Sequence, residues 1–186
     1  MHDSLWSAAT QHPFLDAVRE GSITADAFDR WLVQDVLFVT DLLNFQARLL
    51  ARAPRYAQEV LAGGCVALVA ELDWFEVKAS ERGLDVGVVA LPATLSYREL
   101  LTRLDAEPAG AALTALWAIE KVYLLAWSHA KSDGSPFAEF VDHWTVPEFA
   151  SYVDGLEQVA DPDTHADLVR EVLEHEIAFW DMALEQ

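Results

Sequence analysis

The chain has 186 residues, 53% of them hydrophobic, with seven Trp and nine Phe. That size supports one domain with a sizeable core, and that composition excludes a disordered polypeptide. The formal net charge is −19, from 12 Lys and Arg against 31 Asp and Glu, which disfavours binding to nucleic acid or to an anionic membrane surface.

In chain order, the spacing predicts helices over 4–11, 13–20, 24–53, 54–83, 92–106, 109–131, 136–144, 146–160 and 162–184. No stretch alternates apolar and polar residues as a strand would, and hairpin signals are missing. The opening MHDSLWSAATQHPF lacks the basic and apolar stretches of a signal peptide. Gly21-Ser22-Ile23-Thr24 closes one helix and opens the next, with Thr24 as N-cap. Pro54 stands at a first helical position. Gly83, Pro92, Pro108-Ala109-Gly110, Asp133-Gly134-Ser135-Pro136, Pro147 and Asp161-Pro162 mark the remaining breaks. No apolar run reaches ~18 residues, so no membrane span is expected. The single Cys65 cannot close an internal disulfide, and a cytoplasmic protein is expected. The fold class is all-α: one helical bundle over 1–186, with the 109–131 helix apolar nearly all round and hence central.

Three of these helices carry an acid on a core-facing stripe. In LWAIEKVYLLAW (Leu116 to Trp127), Glu120 shares a face with Leu113, Leu116, Tyr123 and Trp127. Asp35 falls with Trp31, Phe38 and Leu42. Glu176 falls between Val172 or Leu173 and Trp180. A lone buried carboxylate is expensive unless it is paired or protonated. Three of them together imply a polar pocket lined by aromatic side chains, with at least one pKa raised toward neutrality. Such a pocket supplies a general acid and a general base. The bland alternative for each acid is a rim position or half of an ion pair, and for Lys121 a snorkelling or neutralising role.

Other chemistries find less support. No His has a Glu three residues before it, against a di-iron bundle. His12 suits a cap before Pro13 better than a haem ligand, because haem propionates call for basic neighbours. There is no phosphate loop, Cys–His metal spacing or Ser nucleophile elbow, so neither metal nor cofactor is expected. Cys65 reads as a small core residue.

HPFLDAVREGSI (His12 to Ile23), FDRWLVQDVLFV (Phe28 to Val39), ELDWFE (Glu71 to Glu76), SYRELL (Ser96 to Leu101) and EIAFWDMA (Glu176 to Ala183) follow one another in a specific order. Over nearly the whole chain they resemble the TenA/thiaminase II family, which has the haem-oxygenase-like helical fold. The resemblance implies that Asp35 contacts an aminopyrimidine, that Phe38, Tyr97 and Trp144 line the same pocket, and that Glu176 handles protons on the ring. The better-known members carry a catalytic Cys in the middle of the helix where this chain reads WAIEKVY. This chain is similar to the Cys-lacking branch, in which a Glu, here Glu120, occupies that part of the pocket.

The resemblance therefore implies a thiamin-salvage hydrolase that cleaves a C–N bond of an aminomethyl- or formylaminomethyl-pyrimidine. Glu120 is expected as general base and Glu176 as acid. Related folds form symmetric dimers and tetramers, so a homo-oligomer is expected. The alternatives are a pyrimidine carrier or regulator without catalysis, and a PqqC-type or haem oxidoreductase. The −19 charge runs against direct DNA contact, and the scarcity of basic residues on core-facing stripes runs against anionic cofactors.

Overall fold

The structure is a computed structural model that describes residues 3–185. Met1, His2 and Gln186, the ends of the expected domain, lie outside the described residues. Within them the chain forms α1 (Asp3–Thr10), α2 (Pro13–Glu20), α3 (Ala25–Arg52), α4 (Arg55–Glu81), α5 (Pro92–Leu104), α6 (Ala109–His129), α7 (Ala138–His143), α8 (Pro147–Glu157) and α9 (Ala166–Leu184), and no strand.

Local chemistry fixes the helix boundaries. His12 caps α2, its Nδ1 accepting the Phe14 N–H at 3.2 Å. That leaves the ring proton on Nε2, which donates to Asp181 of α9 at 3.1 Å. Both ring nitrogens are thereby engaged, as a cap reading requires. Gly21 ends α2 in the left-handed region at φ 69°, so that the Ser22 N–H returns to the Ala17 carbonyl at 2.9 Å. Thr24 Oγ1 accepts the Ala27 N–H at 3.2 Å and starts α3.

Three expected boundaries shift. Pro54 is the extended N-cap of α4, and the helix begins at Arg55. Ser135 Oγ takes the Phe137 N–H at 3.2 Å and donates to the Val18 carbonyl at 2.8 Å, which delays α7 to Ala138. The Asp161 carboxylate accepts the Thr164 N–H at 3.1 Å. This side-chain turn spends residues 162–165 before α9 begins at Ala166.

The longest helices, α3 and α4, pair most extensively, while α6 packs against α1, α2, α3, α8 and α9. By length and composition α6 could cross a membrane, yet 67% of that window is buried inside the bundle. Every residue from Ala111 to Glu120 is buried, as a central helix demands. The core around it is aromatic. Trp31, Trp127 and Trp180 are fully buried, with Trp31 edge-on to Trp127 at 5.0 Å and Phe14 stacked on Trp180 at 5.3 Å. Trp180 Nε1 donates to the Ala9 carbonyl at 3.0 Å, tying α9 to α1. Such rings bring large buried area and restrict each other's geometry.

His12 therefore joins a helix cap to an interhelical hydrogen bond. His12→Ala is expected to cost about 1–2 kcal/mol, read as a lower midpoint in urea unfolding with an unchanged slope.

Candidate active site

The three acids singled out from the sequence converge. Asp35 on α3, Glu120 on α6 and Glu176 on α9 are buried, at 2, 5 and 5% exposure. Their charges work against one another: charge on Glu120 or Glu176 raises Asp35, and charge on Glu176 raises Glu120. Among the described residues, no ion pair involves any of the three. Lys121, next to Glu120, turns away: its Nζ pairs with Glu157 of α8 at 2.9 and 3.0 Å and lies 5.0 Å over the Trp117 ring. The ion-pair alternative for Glu120 thus fails in the folded chain.

What the acids have instead is tyrosine. Tyr97 of α5 donates to Glu176 Oε1 at 2.5 Å. Tyr123 of α6 donates to Asp35 Oδ2 at 3.0 Å. Tyr152 of α8 shares a hydrogen bond with Glu120. The fourth tyrosine, Tyr56, is 69% exposed and lies on the surface. Burial first, and the neighbouring acids second, push all three phenols well up, so each keeps its proton and remains a donor at neutral pH.

The carboxyls also hold protons far above their ordinary range. Burial raises Glu120 to about 8, with Glu176 and Glu71 adding to the rise and Tyr152 opposing it. Burial raises Glu176 to about 8 against the hydrogen bond from Tyr97. Asp35 is raised well above its usual value by burial, against the hydrogen bond from Tyr123. A group that titrates near 8 exchanges protons readily at physiological pH.

The expected wall residues take their places around these acids. Phe38, one turn beyond Asp35 on α3, lies 4.5 Å from Tyr97 and 5.7 Å from Phe179, centroid to centroid. Trp144 is buried and packs 4.4 Å from Trp127 and 5.7 Å from Tyr123, the partner of Asp35. Its Nε1 donates to Glu71 at 2.6 Å.

Glu71 is a fourth acid that the sequence reading left unassigned. It also meets His143 Nε2 at 2.7 Å, and His143 stacks on Trp74 at 3.8 Å. The signal was present: Glu71 shares its face of α4 with buried Leu68 and Phe75, the same acid-on-a-stripe pattern as the other three. Gln46, fully buried on α3, carried the same signal as a buried amide. Tyr152 carried none, because a tyrosine on a short amphipathic helix is ordinary.

Cys65 is half-buried on α4 rather than in the core, and burial raises its thiol, which disfavours the thiolate a nucleophile needs. Among the described residues, no group of three or more His, Cys, Asp and Glu stands ready to hold a metal ion.

Residues 1–186 match the model of the TENA/THI-4/PQQC family. A probable bifunctional TENA-E protein of Glycine max is 33% identical, covering 98% of this chain and 89% of its own. The crystal structure of a TenA homologue from Pyrococcus furiosus superposes with a TM-score of 0.88 at 30% identity, covering 97% of this chain and 95% of the other. A candidate TenA-like thiaminase from Sulfolobus solfataricus shares the fold with a TM-score of 0.84 at 18% identity, over 97% and 90% of the two chains.

The raised carboxyls make stability depend on pH with a definite sign. Between about 4.5 and 8 the folded state keeps protons on Glu120 and Glu176 that the unfolded chain has lost, so this contribution is complete below 4.5 and disappears as pH rises to 8. Melting curves of the wild type and of Glu120→Gln/Glu176→Gln are expected to converge near pH 5. Above pH 8 the Gln variant should melt several degrees higher; parallel Tm-against-pH curves would contradict the raised values.

Proposed function

The chain belongs to the TENA/THI-4/PQQC family, and from that premise we propose that it is a thiamin-salvage hydrolase. The substrate is an aminomethyl-pyrimidine or its N-formyl derivative, and the reaction is hydrolysis of a C–N bond without a covalent enzyme intermediate. One observation carries this reading. Two carboxyls that titrate near 8 stand in one aromatic interior, Glu120 held by Tyr152 and Glu176 by Tyr97.

In this reading Asp35 takes the exocyclic amine of the pyrimidine, and Phe38 and Tyr97 stack against the ring. Trp144 closes the side held by Glu71. Aromatic walls with a few fixed polar groups suit a flat heterocycle. Hydrolysis then needs one group to accept a proton from water and another to protonate the departing nitrogen. Glu120 and Glu176 meet both needs. In this reading water activated by a carboxyl, not a side chain, is the nucleophile. The −19 charge favours a neutral or cationic substrate over a phosphorylated one.

The test is turnover of aminomethylpyrimidine and its N-formyl derivative, with thiamin beside them and products read by mass spectrometry. Release of hydroxymethylpyrimidine from the first, or of aminomethylpyrimidine from the second, is expected. Glu120→Gln and Glu176→Gln should each lower kcat by about 10²–10⁴-fold, while the ligand still raises Tm. Ligand stabilisation with no product from any of the three would replace catalysis by transport or sensing.

A further inference from the structure

Glu71 sets a carboxyl on α4 between buried Leu68 and Phe75, where an apolar side chain would continue the core. Its side chain is 19% exposed, so a carboxyl there carries a desolvation cost that its partners must offset. Two N–H groups do so. Trp144 Nε1 donates to Glu71 Oε1 at 2.6 Å, and His143 Nε2 meets Oε2 at 2.7 Å. An indole nitrogen only donates, so Oε1 accepts, and an imidazole can donate from Nε2 to the second oxygen.

His143 is itself seated. Trp74 stands three residues after Glu71 and so on the same side of α4. It stacks on the imidazole with centroids 3.8 Å apart and the planes 4° from parallel. Glu71 and Trp74 thus grip two consecutive residues, the last of α7 and its C-cap. A helix of six residues has little face of its own to pack, so side chains of this kind decide where it ends.

Burial of an indole does not by itself call for such a clamp. Trp31 is fully buried, and its Nε1 has no hydrogen-bond partner among the described residues. Trp144 differs in what it touches. Its ring lies edge-on to Trp31 at 5.3 Å and to Tyr123 at 5.7 Å. Trp31 stands one turn before Asp35 on α3, and Tyr123 donates to Asp35 Oδ2 at 3.0 Å. Trp144 therefore bears on both neighbours that set the Asp35 carboxyl. An indole carries its N–H on one edge only, so a fixed acceptor at that edge selects one of the two ways the ring can lie.

We propose that Glu71 and His143 are positioning residues that fix the Trp144 ring against Trp31 and Tyr123, and through them hold the Asp35 carboxyl in place for the exocyclic amine of the pyrimidine. The identity of that ligand rests on the hydrolase reading. Glu71 and His143 act through Trp144 and take no part in proton transfer, so their effect falls on substrate binding more than on the chemical step.

Glu71→Leu removes both acceptors and is expected to raise KM for aminomethylpyrimidine about tenfold with kcat little changed. Glu71→Gln keeps an oxygen for the indole, and its amide nitrogen can donate to the other tautomer of His143, so most of the lost KM is recovered. In a Trp144→Phe background the donor is gone, and adding Glu71→Leu should cost nothing further. An unchanged KM in Glu71→Leu, a Gln variant as damaged as the Leu variant, or additive losses in the double variant would each overturn the proposal. The clamp is also read without substrate. The Trp144 indole N–H resonance, assigned by its loss in Trp144→Phe, is expected to lie downfield in the wild type and in Glu71→Gln, and to move upfield in Glu71→Leu. A resonance that Glu71→Leu does not move also sinks the clamp. Where Glu71→Leu does not fold, His143→Phe keeps a ring on Trp74 and removes the second N–H; movement of the indole resonance there supports the clamp, and none opposes it. The resonance needs no turnover. If it behaves as expected and no pyrimidine is hydrolysed, the hydrolase reading fails alone; if it does not move and turnover is robust, the clamp fails alone.

Discussion

Three carboxyl groups share the aromatic interior of this bundle with no ion-pair partner among the described residues, and their burial sets the terms for what surrounds them. Charging even one of them there is costly, and charging all three is prohibitive. The fold meets the cost with one tyrosine per acid, each from a different helix: Tyr97 on α5, Tyr123 on α6, Tyr152 on α8. A phenol can satisfy a carboxyl in either protonation state, which a lysine or arginine does not. Glu120 and Glu176, pushed up to about 8, therefore keep protons that they can release near neutral pH.

The helical architecture and the three acids were legible because both depend on periodicity. A carboxyl on an apolar stripe is a local contradiction, and such contradictions tend to mark functional positions. Glu71 obeyed the same rule but went unremarked. Exposed Val66, Val69 and Val77 make α4 apolar on its outer side as well, and the stripe loses contrast. The tyrosine partners were not legible, since Tyr97, Tyr123 and Tyr152 find their acids on other helices, 79, 88 and 32 positions away in sequence for Glu176, Asp35 and Glu120. Helix starts fall later than spacing predicts where a side chain, Ser135 or Asp161, captures the chain into a turn before the helix can begin.

The adjacent pair Glu120 and Lys121 has a mechanical side as well. Both residues grip α8, Glu120 through Tyr152 and Lys121 through Glu157. The first grip is dry and the second is open to solvent, with the Glu157 side chain half exposed. Dissolved ions screen an open ion pair and leave a buried hydrogen bond largely untouched. Helix α8 is thus hung from α6 by one fastening that responds to the medium and one that does not. If the outer fastening slackens in salt, the buried Val153 and Leu156 still seat α8 against the bundle, and Tyr152 keeps its place.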